Sequence, residues 1–162
     1  MIEKPRMTVM DSIFVFGAKY LYLLALVVAL VWFLRLPKEK KKEALLFGVI
    51  ALPAVYVAAK IASWLYVDPR PFVVGHFTPL VPHAPDNGFP SDHTLLVSAI
   101  AAIIFPFDRK TSVLVWIIAV LVGISRVYVG IHHPIDVVGS IVIAIAASAI
   151  AYQAFRKFVV KR

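Results

Sequence analysis

The chain has 162 residues, no cysteine, 61% hydrophobic and 16% charged residues, and a formal net charge of +8. A soluble domain carries roughly 45–50% apolar and about 25% charged residues, and one of this size has too little interior for such an apolar surplus. Disorder, a coiled coil and a disulfide scaffold are excluded by the same balance, and the missing thiols exclude cysteine catalysis and thiolate metal sites; the bilayer is the solvent that fits.

In chain order, Met1–Met10 is too short to span and reads as a surface arm or a short interfacial helix. A transmembrane helix needs about 20 predominantly apolar residues. The first such run is Ser12–Leu34, broken only by Lys19, and it is too long for a cleaved signal peptide. The second is Ala44–Val67, with Lys60 as its one charge. The third, Thr94–Phe107, is short and begins near Ser91; the fourth covers Thr111 to about Val129, and the fifth Val137–Phe155. The expected fold is an all-α integral membrane protein of about five transmembrane helices plus a short N-terminal interfacial segment. It forms a single membrane-embedded domain over residues 1–162. Ala146, Ala147 and Ala149 in the fifth run permit close packing, read here as intramolecular.

Basic residues near span ends favour the cytoplasm. Arg35, Lys38, Lys40, Lys41 and Lys42, then Arg109 and Lys110, then Arg156, Lys157, Lys161 and Arg162 all fall on one side of a five-span chain. Only Lys4, Arg6, Arg70 and Arg126 fall on the other. The lysine-rich first loop thus reads as a cytoplasmic topology anchor, with the C-terminus cytoplasmic and the N-terminus outside. The positive charge is a topology signal with some attraction to anionic lipid, and no nucleic-acid partner is expected. The outer side holds the long connection 68–90 and the short one 130–136, with all five histidines on or beside them. The long connection is mildly apolar through Phe72, Val73, Val74, Phe77, Leu80 and Val81, which suits a position on the membrane interface. A polar site at the outer surface of a plasma membrane is implied.

Three clusters carry its chemistry: Arg70-Pro71, Pro90-Ser91-Asp92-His93, and Ser125-Arg126 with His132 and Asp136. Arginine offers a planar fork of donors for phosphate oxygens, and a helix starting near Ser91 aims backbone N–H groups at an anion. Two histidines allow one to attack phosphorus and the other to protonate the leaving oxygen. A carboxylate beside a histidine fixes its tautomer. Each residue alone has an ordinary reading: Ser91 as an N-cap, Asp136 as a helix-start carboxylate, the arginines as snorkelling side chains, a histidine as an interfacial one. Their conjunction on one membrane face points to metal-free phosphoryl transfer. Lys19 and Lys60 are costly inside a membrane and are functional candidates.

These residues resemble the type 2 phosphatidic acid phosphatase superfamily. The pattern reads Lys60 with Arg70-Pro71, then Pro90-Ser91-Asp92-His93, then Ser125-Arg126-x5-His132-x3-Asp136. The resemblance implies that His132 is the nucleophile, Asp136 orients it and His93 protonates the leaving group. It also implies that Arg70, Arg126, Ser91 and Lys60 hold phosphate with backbone N–H groups near Asp92, without metal or cofactor. Two departures stand out. Lys60 lies three residues farther from Arg70 than the family spacing, with Ser63 at the expected place, and Asp92 replaces the usual glycine. Asp92 would either disfavour extra negative charge or tune His93. The Phe-Pro-Ser-Asp-His-Thr form looks like the undecaprenyl pyrophosphate phosphatase branch. That implies hydrolysis of an isoprenoid diphosphate lipid, recycling a carrier for envelope synthesis. The alternatives are a phosphatidate or phosphatidylglycerophosphate phosphatase, a vanadate-type haloperoxidase (disfavoured by the membrane spans), and a non-enzymatic polyprenyl-lipid carrier.

Overall fold

A computed structural model describes residues 7–157, so the first part of the expected N-terminal arm, and Lys161 and Arg162, lie outside the described residues. Six helices follow: α1 Val9–Arg35, α2 Lys38–Leu65, α3 Pro71–Val74, α4 Asp92–Ile104, α5 Arg109–Tyr128 and α6 Pro134–Phe155. Four of them (α1, α2, α5 and α6) are long and apolar enough to cross a membrane.

Where Met7–Met10 was expected to belong to a separate arm, α1 already begins. Thr8 accepts from the Asp11 N–H at 3.1 Å while Asp11 accepts from the Thr8 N–H at 2.8 Å, a reciprocal cap that starts the helix early. The lysine-rich loop is likewise corrected. Lys38–Lys42 form the opening of α2, and only Leu36 and Pro37 connect it to α1. Lysine is a good helix former, and Pro37, with φ −57°, enters the helix without strain. Asp108 caps α5, accepting from the Lys110 and Thr111 N–H groups, and the Thr111 hydroxyl bond first, then these backbone bonds, hold its carboxyl below the usual carboxylate range. Pro134 opens α6, where its missing N–H costs nothing.

α4 is the short third span, 13 residues or about 20 Å against a hydrocarbon layer of about 30 Å. It can be short because it is sheathed: α1, α2, α5 and α6 all pack on it, and Thr94, Leu95, Val97, Ser98, Ala99 and Ala101 are buried. Small residues let these helices approach closely, with Ala25, Ala101 and Ala119 in one cluster and Ala59, Ala99, Ala144 and Ala147 in another. Of the three alanines expected in the α6 seam, only Ala147 is there; Ala146 and Ala149 are exposed. α1 meets α4 and α5, and α2 meets α4 and α6.

Gly139 shows how tight this packing is, because a Cβ there would overlap the Phe89 ring. Gly139→Val is expected to destabilise the protein by about 1–3 kcal/mol, read as a lowered Tm in detergent.

The bundle has two unlike ends. At one, Arg35, Lys40 and Asp108 line a common cavity, and Phe47 contacts Phe107, Tyr152 and Phe155. At the other lie the starts of α4 and α6, the end of α5 and the connection 66–91, which contains the unanticipated short helix α3.

Candidate active site

The long connection is held by one side chain that the sequence did not single out. The Asn87 carbonyl oxygen Oδ1 accepts from the Asp68 and Phe89 N–H groups at 2.9 and 3.0 Å. Its Nδ2 donates to Ser63 O, Ser63 Oγ and Tyr66 O at the end of α2. This knot ties the connection to α2 and holds the backbone that leads into Arg70. Asn87→Ala leaves those N–H groups without their acceptor and is expected to cost about 1–3 kcal/mol, measured as a Tm decrease.

Arg70 is 5% exposed and fully engaged. Its Nε donates to Asp86 Oδ1 at 2.7 Å, Nη1 to Ile131 O at 2.8 Å and Nη2 to Asn87 O at 3.4 Å. Burial raises the Asp86 carboxyl, but the Arg70 hydrogen bond and charge outweigh it and hold Asp86 below the usual value. The guanidinium is thus pinned along one edge while Nη1 also lies 3.4 Å from His132 Nε2.

His132 sits on the short connection before α6 and is 2% exposed. Asp136 stands one turn on, in the first turn of α6, and is fully buried. Its Oδ2 accepts from His132 Nδ1 at 3.1 Å and from the His133 N–H at 2.9 Å. That pairing places the proton on Nδ1 and leaves the Nε2 lone pair free to act as a nucleophile.

Arg126 Nη2 lies 3.3 Å from the same Nε2 and 3.4 Å from His83 Nε2, while its Nη1 donates to Ala18 O on α1. Two buried guanidinium forks therefore converge on one imidazole nitrogen. Burial first, and then the charges of Arg126 and Arg70, hold the His132 pKa below its usual value, against the opposing pull of Asp136. His83 is lowered in the same way, by burial and then by Arg70.

Ser91 precedes α4 in extended backbone, in the N-cap position, but its side chain makes no capping bond. Its Oγ pairs with Thr94 Oγ1 at 3.2 Å instead. The first N–H groups of α4 thus keep their capacity for an anion. Ser140 Oγ donates to both Ser91 O (3.0 Å) and Asp136 O (2.7 Å), and the Ser91 N–H donates to Asp136 O at 3.4 Å. These bonds lock the start of α4, which carries His93, to the start of α6. His93 is half-buried, with its ring edge-on to Tyr22 of α1 at 4.7 Å between centroids.

The structure brings together His132, Asp136, Arg70, Arg126 and Ser91, with His93 in the first turn of α4. It does not bring in Lys60, whose ammonium lies over the Tyr56 ring at 5.4 Å on an exposed part of α2. Ser63, at the place where the family pattern carries its lysine, meets Asn87 instead. Asp92 is exposed in the first turn of α4, and His76 is exposed on the long connection. Besides Asn87, sequence reasoning passed over Asp86, His83 and the His133–Asp68 pair, joined at 2.9 Å between Nδ1 and Oδ2. Asp86-Asn87-Gly88 carries a turn signal, and Asp68 belongs to the Asp-Pro-Arg-Pro-Phe run; neither feature announces a partner. Asp68, His133 and Asp136 offer three donor atoms within 4.8 Å of one another, the one such group among the described residues. Two of those atoms already bond each other and the third orients His132, so the group reads as a tie between the two connections.

The PAP2 superfamily model matches residues 16–159. The chain is 37% identical over 139 residues to undecaprenyl-diphosphatase BcrC of Bacillus subtilis, covering 85% of this chain and 71% of that protein. The fold is similar to Aquifex aeolicus LpxE, with a TM-score of 0.65 at 24% identity over 92% of this chain and 88% of that one. It is also similar to a PAP2-type phosphatidylglycerolphosphate phosphatase from Bacillus subtilis, with a TM-score of 0.58 at 26% identity, covering 98% and 82% of the two chains.

Proposed function

The chain belongs to the PAP2 superfamily and is an integral membrane protein, and from that premise we propose that it is a lipid phosphatase acting on undecaprenyl or another polyprenyl diphosphate. The products are the lipid monophosphate and inorganic phosphate, and the reaction recycles a carrier lipid for envelope synthesis. One observation carries the reading: Arg70 and Arg126 converge on His132 Nε2 while Asp136 holds Nδ1.

In the proposed mechanism His132 Nε2 attacks the terminal phosphorus, forming an N–P bond as the bond to the bridging oxygen breaks. The electron pair and a proton from His93 go to that oxygen, releasing the lipid monophosphate. Water, deprotonated by His93, then cleaves the N–P bond and restores both histidines. Arg70, Arg126, Ser91 and the first N–H groups of α4 hold the equatorial oxygens, where negative charge develops.

The reading places the site at the outer surface, opposite the lysine-rich end. The absence of native cysteine makes a direct test available. A single Thr78→Cys is expected to react with an impermeant maleimide in intact cells, and Lys42→Cys only after permeabilisation. The reverse pattern would invert the topology.

The activity is tested by phosphate release from purified protein in detergent with excess chelator. Undecaprenyl diphosphate, phosphatidate and phosphatidylglycerophosphate are compared, with His132→Ala as the blank. Fastest release from the diphosphate supports the reading. Faster release from the glycerolipids keeps the phosphohistidine chemistry and replaces the substrate, and release from none of them leaves a lipid carrier as the better account.

A further inference from the structure

The phosphate cluster leaves both intramembrane lysines unused, yet the fold sets them at the depth of His93. On α1, Ala18 accepts from Arg126 and Tyr22 meets the His93 ring, and Lys19 lies between those two levels. On α2, Ala59 packs in one cluster with Leu95 of α4, and Ser63 is bonded by Asn87; Lys60 lies between them. Both lysines are exposed.

Their two helices also border one gap. α1 packs on α5 and α4 and α2 on α6 and α4, and Leu36–Pro37 joins the two helices at the far end of the bundle. Between them runs a cavity of about 570 Å³, lined by Leu30 and Phe33 of α1, Val49 and Pro53 of α2, and Ile100 and Ile103 of α4. Helical spacing carries each wall toward the site. From Phe33 and Leu30 the steps pass Leu26 and Tyr22 to Lys19. From Pro53 they pass Tyr56 to Lys60, and from Ile103 and Ile100 they pass Leu96 to His93. By this spacing His93 continues the line of the α4 floor beyond the cavity, and Lys19 and Lys60 continue the lines of the α1 and α2 walls.

We propose that Lys19 and Lys60 hold the phosphate that stays on the lipid, and that this pair selects diphosphate over monophosphate lipids. The inference rests on the lipid phosphatase reading above. Attack by His132 Nε2 breaks the bond to the bridging oxygen, and the electron pair leaves with the retained phosphate. That phosphate lies beyond His93, on the side away from the two arginines, where the lysines flank the gap. The polyprenyl tail continues along the gap over Leu96 and Ile100. A monophosphate lipid places an uncharged carbon chain between the lysines and gains nothing from them.

Farnesyl diphosphate and farnesyl monophosphate share one tail and differ only by the phosphate in question. Lys19→Gln and Lys60→Gln are each expected to lower the diphosphate-to-monophosphate ratio of kcat/KM by about tenfold, the size of one charge-assisted hydrogen bond. Lys19→Arg and Lys60→Arg, which keep the charge, retain most of the ratio. Lys38→Gln with Lys42→Gln, at the opposite end, leaves it unchanged. The two sites test the pair independently should one glutamine variant not fold. An unchanged ratio, or an equal loss on both lipids, overturns the lysine pair and leaves the phosphatase standing. Release from neither lipid by the unaltered protein overturns the reading beneath it.

Discussion

His132→Ala protein is expected to release phosphate at least ~10³-fold more slowly than the unaltered chain, with substrate binding largely kept. The alanine removes the atom that bonds phosphorus, while Arg70 remains fixed by Asp86, Ile131 and Asn87 and still holds the anion. Asp136→Asn gives a second, more discriminating result. Asparagine at that position still fits, but it no longer carries the charge that keeps the proton on Nδ1 and stabilises the cation formed on attack. Loss of the correct tautomer is expected to lower kcat by about 10²–10⁴-fold with little change in KM. Single-turnover measurements with a radiolabelled terminal phosphate check both, because the acid-labile, base-stable phosphoenzyme forms slowly in Asp136→Asn and never in His132→Ala.

The second large effect belongs to Arg126. Arg126→Gln removes one of the two guanidinium groups beside Nε2 and is expected to lower kcat/KM by about 10²–10³-fold, as loss of a preorganised donor does elsewhere. A shift in pH dependence accompanies it. His132 must be neutral to attack, and its pKa is lowered by burial, then by the charges of Arg126 and Arg70. With the pKa held below the ordinary histidine value of about 6.5, the acid limb of the unaltered protein's kcat/KM profile is expected on the acid side of that value. Removing the Arg126 charge raises the pKa, so the acid limb of the Arg126→Gln profile moves to higher pH. Asp136→Asn removes a group that raises the pKa, so its acid limb moves the other way. A pH series of kcat/KM on the two variants checks both signs. Parallel shifts in the same direction would contradict the proposed electrostatics.

The residues that the structure gathers around His132 were legible because their chemistry is carried by residue type at fixed spacing. Arg126, His132 and Asp136 lie within eleven positions along the end of α5, a short turn and the start of α6. One turn of helix brings Asp136 under His132, so the pairing follows from local geometry. Lys60 stands apart from the arginine cluster for the converse reason. Its role depends on which side of a long helix it occupies, and three extra residues turn it toward the gap beside α1 rather than toward the connection. The Asn87 knot was hidden because its five side-chain bonds run to Ser63, Tyr66, Asp68 and Phe89, joining segments whose approach no periodicity reveals. The helices were legible by their apolar content. The ends of α1 and α2 were not, because hydropathy ends where charge begins, whereas a helix continues through Asp11 or through the lysines as long as its backbone bonds are met.

Membranes differ in thickness with lipid length and temperature, and helices that face lipid answer by tilting. Such tilting acts on the long outer helices, α1 and α2 above all, whose flanks are apolar and exposed. The serine hydroxyl of Ser140 works against transmission of that strain to the chemistry. It clips the carbonyl that begins α4 to the carbonyl of Asp136, while α4 itself is largely enclosed by its four neighbouring helices. His93 and His132, the proposed proton donor and nucleophile, therefore ride on one joint, and elastic deformation of the bilayer is expected to change how the lipid arrives without changing the distance between them.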